Sequence, residues 1–234
     1  MAALDLLLQS NSVWRGAAPA RFSATVSTGY TALDRELPGA GWPTGALTEI
    51  LGSQEGIGEL QLALPALARL SAAGERVVWL APPHLPYAPA LAAAGVDLAR
   101  LAVVRAPGRR DALWAAEQVL RAGPCRALLA WFRHARYEEL RRLAVAAEAS
   151  RACVLLFRPL EASSEPSPAC LRLALEAHGG ELSVRIVKRR GQPAAAPLAL
   201  TVPRPVHALG RPAFPPAAPG RAREPGRLGL PVHA

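Results

Sequence analysis

Five short apolar runs, at 46–51, 76–81, 101–105, 126–131 and 152–157, are separated by stretches of helical period. That alternation constrains the chain more than any other feature. A run such as Val77-Val78-Trp79, with Gly74 before it and Pro82 after it, reads as a strand buried on both faces. Between the runs, 57–73, 86–94, 111–122 and 136–150 read as helices; Tyr137, Leu140, Leu143, Ala144 and Ala147 share one face of the last. Asp111 is placed to N-cap the third helix, and Gly95 and Gly123-Pro124 to end the second and third. Strand and helix in alternation imply a parallel sheet with helices on both faces.

The pattern changes after 170. Leu171, Leu173 and Leu175 alternate with Arg172, Ala174 and Glu176; beyond His178-Gly179-Gly180, Leu182, Val184 and Ile186 alternate with Ser183, Arg185 and Val187. A period of two on either side of a glycine turn is an antiparallel hairpin with one buried face. The expected fold is therefore α/β: a mostly parallel sheet flanked by helices, with a C-terminal antiparallel hairpin. Composition divides the chain of 234 residues into three. Residues 1–26 hold a short apolar helix and a connector, and 27–190 are the core. Residues 191–234 carry ten prolines, and five arginines against Glu224. So little large apolar surface predicts a largely disordered tail, in which only 198–202 could add an edge strand.

Charge and cysteine usage bound the function. The net charge of +9 invites a nucleic-acid partner, yet Lys188 is the only lysine among 27 basic residues, which also fits a genome that spells Arg, Ala and Pro freely. Cys125, Cys153 and Cys170 are odd in number and form no CxxC or Cys/His pattern. That argues against a disulfide framework or a structural zinc, and for a reducing, cytoplasmic setting. The first ten residues contain Asp5 and no basic residue, unlike a signal peptide. The apolar stretch 77–96 contains Pro82, Pro83, Pro86 and Pro89 and reads as strand, loop and small helix, not a membrane span.

The turn after the first apolar run is where a phosphate-binding loop would sit. Such a loop, G-x-x-x-x-G-K-[ST], cradles phosphate on backbone N–H groups, reaches it with Lys and holds magnesium with the hydroxyl. Here the residues are Gly52-Ser53-Gln54-Glu55-Gly56-Ile57-Gly58-Glu59-Leu60. Counting from Gly52 puts Gly58 at the Lys position and Glu59 at the hydroxyl; shifting by one puts Glu59 and Leu60 there. Gly52, Gly56, Gly58 and Glu59 thus form a degenerate nucleotide loop. Like charges roughly 4 Å apart repel by about 4 kcal/mol at an effective dielectric near 20, whereas a helix N-terminus attracts an anion by about 1 kcal/mol. Glu55 and Glu59 should therefore reject a nucleotide triphosphate, with Glu59 satisfying the helix dipole itself. Pro65 removes a backbone hydrogen bond inside the following helix, so a kink is expected near 61–64.

The order of segments resembles the RecA family. Ser27-Thr28-Gly29-Tyr30-Thr31-Ala32-Leu33-Asp34 is similar to that family's S-T-G-x-x-x-L-D entry, and Gly41-Trp42-Pro43-Thr44-Gly45, Gly95-Val96-Asp97 and Val187-Lys188-Arg189-Arg190-Gly191 continue the likeness over about 27–191. Within that group the chain resembles the ImuA family of accessory proteins in bacterial translesion synthesis, which is grouped with SulA-like proteins. Val13-Trp14-Arg15-Gly16, Gly56-Ile57-Gly58-Glu59-Leu60, Ala81-Pro82-Pro83-His84 and Leu129-Ala130-Trp131 carry this likeness. The comparison also shows what is missing. Pro83 stands where RecA has a catalytic glutamate, and the strand that should end in the magnesium carboxylate ends at Trp131. The resemblance implies a non-catalytic adaptor of the SOS response, with no cofactor or metal. Its partners would be an ImuB-like Y-family polymerase homologue, an error-prone polymerase III-type α subunit, and RecA. Two alternatives stay open: a SulA-like inhibitor of cell division that binds FtsZ, and a single-strand DNA-binding protein.

Other side chains complete the candidates. Arg105, Arg109 and Arg110, together with Lys188, Arg189 and Arg190, are candidate contacts to DNA or an acidic partner near the carboxyl edge of the sheet. Arg136, Glu138, Glu139, Arg141 and Arg142 read as a self-paired helix face, at i,i+3 and i,i+4. Trp14 and Phe22 lie outside the core, and Phe22 is a candidate for docking a neighbouring subunit, as an N-terminal segment does in RecA filaments. Trp79, Trp114 and Trp131 read as core. No G-x-S-x-G is present, and the five histidines stand at no triad or metal spacing.

Overall fold

All five apolar runs become neighbouring parallel strands, because each can bury both faces only inside a sheet. The fold is that of a computed structural model, which describes residues 24–178, 181–189 and 196–203. Ten strands form: β1 (Thr25–Val26), β2 (Trp42–Pro43), β3 (Ala46–Gly52), β4 (Arg76–Leu80), β5 (Leu101–Val104), β6 (Cys125–Trp131), β7 (Cys153–Pro159), β8 (Leu171–His178), β9 (Glu181–Lys188) and β10 (Leu198–Leu200). The helices are α1 (Thr31–Glu36), α2 (Glu59–Ala72), α3 (Ala88–Ala93), α4 (Arg109–Ala122) and α5 (Tyr137–Ser150). β1 and β2 form a small antiparallel pair; the other eight strands make one sheet, in the order β10-β9-β8-β3-β7-β6-β4-β5. Only β9 runs against the rest. The architecture is thus α/β, mostly parallel, flanked by helices, with β8–β9 as the C-terminal hairpin.

Side chains alternate between two cores. Ile50, Trp79, Leu129, Leu155 and Phe157 face the layer formed by α1, α2 and α3. Leu47, Leu80, Leu128, Val154 and Leu156 face α4 and α5. Helices α2 and α3 follow β3 and β4, and α4 and α5 follow β5 and β6, so connections leave the sheet on opposite faces. The carboxyl ends of β3 and β7, and of β6 and β4, are therefore switch points, where a crevice opens.

Four local expectations are corrected. Helix α4 starts at Arg109 behind an extended Gly108, and Asp111 lies in its first turn rather than at the N-cap. Leu171 to Leu175 are all buried, so Arg172 and Ala174 do not face solvent. The reason is position: β8 lies between β3 and β9, inside the sheet. Trp114 is 63% exposed and is no part of the core. Helix α1 and the β1–β2 pair, absent from the strand-and-helix reading, form because the 27–34 turn closes on itself. Asp34 accepts from the Ser27 hydroxyl at 2.5 Å and the Thr28 N–H at 2.8 Å.

Pro65 sits within α2, which continues through it from Glu59 to Ala72. Its missing N–H leaves the carbonyl of Gln61 without a helical partner, and the Tyr30 hydroxyl donates to that carbonyl at 2.9 Å. Gly29 makes the approach possible: its φ is +90°, and a Cβ there would lie 2.4 Å from the Pro65 Cβ. Among the described residues no helix is long and apolar enough to cross a membrane. β10 pairs with β9 at the stretch singled out as an edge strand, and the compact unit that holds the sheet ends at Pro203. The helix expected before residue 10, Trp14, Phe22, the Gly179-Gly180 turn, Arg190 and the tail from 204 lie outside the described residues.

Candidate functional site

Strand β3 delivers its last residue, Gly52, to the crevice, and the loop to α2 turns back over it. Gly58 holds that turn with φ +117°, a backbone open to glycine and strained for other residues. It precedes the first helical residue, Glu59, whose carboxylate folds back on the loop. The Gly56 N–H donates to one oxygen at 2.8 Å and the Gly58 N–H to the other at 3.1 Å. A carboxylate therefore fills the place where loop amides and helix dipole would attract phosphate. Sequence reasoning put Glu59 on the helix dipole; the structure adds both loop amides.

Behind the loop lies a cleft of about 620 Å³, walled by the carboxyl ends of β3, β4, β6 and β7. Glu55 stands at its mouth, 2.9 Å from the Arg133 guanidinium and 3.2 Å from the His84 ring. Trp131 stacks on Phe157, with ring centroids 4.7 Å apart and an interplanar angle of 13°, and lies 5.7 Å from Trp79. The Trp131 ring is thus packed against two other aromatic rings. Pro83 lines the same cleft.

Below the cleft is a buried ionic group that sequence reasoning missed. Glu49 on β3 is fully buried, and Arg158 on β7 and Arg172 on β8 share its carboxylate, at 2.9 and 2.5 Å. Arg158 also reaches Glu165 at 2.7 Å. Arg172 donates to the carbonyls of Ala162, Ser163 and Glu165, and so ties down the 3₁₀ turn Leu160–Ser164. The two charges of each sign balance, which is the condition for burying them. A signal existed: Glu49 and Arg158 interrupt otherwise apolar runs. Only the pairing of Glu49 with Arg172 across two strands shows why.

The candidate basic contacts separate into two groups. Arg105, Arg109 and Arg110 follow β5 at the carboxyl edge and are exposed. Lys188 and Arg189 end β9, which runs the other way, and so lie at the amino edge. Lys188 donates to the Ser167 carbonyl at 2.8 Å; Arg189 bridges to Glu36 at 3.0 Å and also donates to its backbone carbonyl. These two hold the fold together at the edge opposite the crevice. The α5 charges are likewise not self-paired. Glu139 accepts from the Arg136 N–H and from Arg109 of α4, both at 2.8 Å. Arg142 reaches across to Glu117 of α4, at 2.8 Å.

Cys125, Cys153 and Cys170 are buried free thiols. Burial pushes Cys125 and Cys153 up to about 12 from an ordinary 9.0, which leaves them protonated and unreactive. Burial also raises the Tyr30 hydroxyl above its usual 10.0, preserving the proton that the Gln61 carbonyl receives. No protein-family model and no curated protein matches this chain.

Proposed function

We propose that the chain is a non-catalytic accessory protein of an error-prone translesion synthesis complex in the SOS DNA-damage response, built on a RecA-like core whose nucleotide site is closed from within. The supporting observation is the Glu59 carboxylate on the amides of Gly56 and Gly58. A triphosphate would have to displace a covalently tethered anion, pass Glu55 and find no lysine to replace the lost interaction. Trp131, packed between Trp79 and Phe157, offers magnesium no oxygen. With chemistry absent, what the fold supplies is surface. By the likeness to the ImuA family, its partners are an ImuB-like polymerase homologue, an error-prone polymerase III-type α subunit, and RecA. Three buried thiols accord with a cytoplasmic setting.

The test has two parts. Purified protein is titrated with a fluorescent ATP analogue and magnesium while phosphate release is followed; silence on both is expected, and binding or turnover would end the non-catalytic reading. Deleting the gene in its host should lower damage-induced mutation. Unchanged mutation frequency would remove the translesion assignment, and filamentation on overexpression would then favour inhibition of cell division.

A further inference from the structure

The outward side of α4 and α5 lies away from the closed cleft and has a composition of its own. Two hollows of about 430 and 370 Å³ lie on it and share Arg142. Trp114 stands in one, with 63% of its surface exposed; Tyr137 and Val145, 43% and 61% exposed, line the other. The apolar stripe of α4, with Ala112, Leu113, Ala116 and Leu120 buried, is complete without Trp114. The indole therefore owes its place to no core contact, and an exposed Trp beside arginine is the composition of interface anchors.

Charge decides the kind of partner. Five guanidinium groups line the hollows, against three carboxylates. Glu139 engages Arg109, and the buried Glu117 engages Arg142 at 2.8 Å and Arg121 at 3.6 Å. Arg110 and Arg141 make no ion pair or hydrogen bond with any described residue, so two positive charges stand ready beside apolar surface. A polyphosphate chain fits less well, because its charged backbone leaves the exposed apolar surface of Val145 without a partner. A peptide with Asp or Glu beside large apolar side chains satisfies both features, since carboxylates bind guanidinium in a bidentate fork. The occupant is not this chain. Residues 1–23 carry Arg15 and Arg21 against Asp5, residues 204–234 carry five arginines against Glu224, and a second copy brings +9.

We propose that the groove between α4 and α5 docks an acidic amphipathic segment of a partner protein, anchored on Trp114 and held by Arg110 and Arg141. The proposal does not depend on the closed cleft or on the translesion reading.

The test uses the full chain and three fluorescein-labelled probes in anisotropy titrations. One is an amphipathic peptide of about 16 residues, with Leu and Phe at i, i+3, i+4 and i+7 and Glu elsewhere. The second replaces every Glu by Lys. The third is an oligothymidylate of about 20 nucleotides. The acidic peptide should bind and the lysine peptide should not. Trp114→Ser should weaken binding by about tenfold or more, because anchors of this kind dominate interfaces. The double variant Arg110→Glu/Arg141→Glu should lose the acidic peptide and gain the lysine one. All these side chains are exposed, so melting temperature should hold and report intact folding. No acidic-peptide binding, binding that survives both variants, or oligothymidylate binding that Trp114→Ser abolishes would each overturn the proposal.

Discussion

Glu59 occupies two amides of the loop with a single carboxylate. Its two hydrogen bonds reach exposed or half-buried amides, so water can replace them at small cost. Glu59→Ala should destabilise the fold by about 1 kcal/mol in urea unfolding, and should leave ATP unbound because no lysine is within reach. The buried thiols set an alkaline limit. Cys125 and Cys153 hold their protons to about 12 in the fold, against 9.0 in an open chain. Above pH 9.0 the unfolded chain releases them first, so stability is full below that pH and falls as pH climbs toward 12. The slope should be about 1.4 kcal/mol per pH unit for each thiol. Urea midpoints measured at pH 8 and pH 10 should fall across that interval, and Cys125→Ala/Cys153→Ala should flatten the fall.

At the scale of the element, helix α2 and the turn before α1 behave as one unit. Pro65 removes a donor, Tyr30 replaces it, and Gly29 gives the proline room. The two side chains should therefore be coupled. Tyr30→Phe should cost about 1–2 kcal/mol in the parent chain and close to nothing in Pro65→Ala, where a backbone N–H again reaches the Gln61 carbonyl. An equal cost in both backgrounds would show the hydroxyl to be irrelevant to the proline. Strands β3, β7 and β8 are joined by Glu49, Arg158 and Arg172. Glu49→Gln leaves two buried guanidinium groups against one carboxylate and should cost about 3–5 kcal/mol, measured as a loss in chemical unfolding. A cost under about 1 kcal/mol would mean that water enters the group.

For the whole molecule, strand direction sorts the basic residues. Within the eight-stranded sheet of the described residues only β9 runs backwards, so it carries Lys188 and Arg189 away from Arg105, Arg109 and Arg110. A surface that combines all five does not exist on this fold. Arg189→Ala should lower the melting temperature by a few degrees through loss of the bridge to Glu36, whereas Arg110→Ala, on the exposed edge, should leave it unchanged. A calorimetric scan that found the reverse would put Arg189 on a working surface and Arg110 in the framework.

The amino-acid pattern alone determined the parallel sheet, its hairpin and the lack of a lysine in the loop at 52–59. Period and bounding residues dictate strands and helices locally, and a missing lysine is missing in any conformation. Element ends followed less closely: α4 starts two residues before Asp111, because an extended glycine stops a helix as well as a capping side chain does. Tertiary structure decided whatever depends on neighbours distant along the chain. Arg172 and Glu176 share the period of β8, yet one is buried against Glu49 and the other half-exposed, because only the first lies under the turn at 160–164. Trp114 and Trp79 are alike in sequence terms, and strand order and helix rotation place one in solvent and the other in the core. Burial depends on which elements meet, and that is settled only when the whole sheet closes.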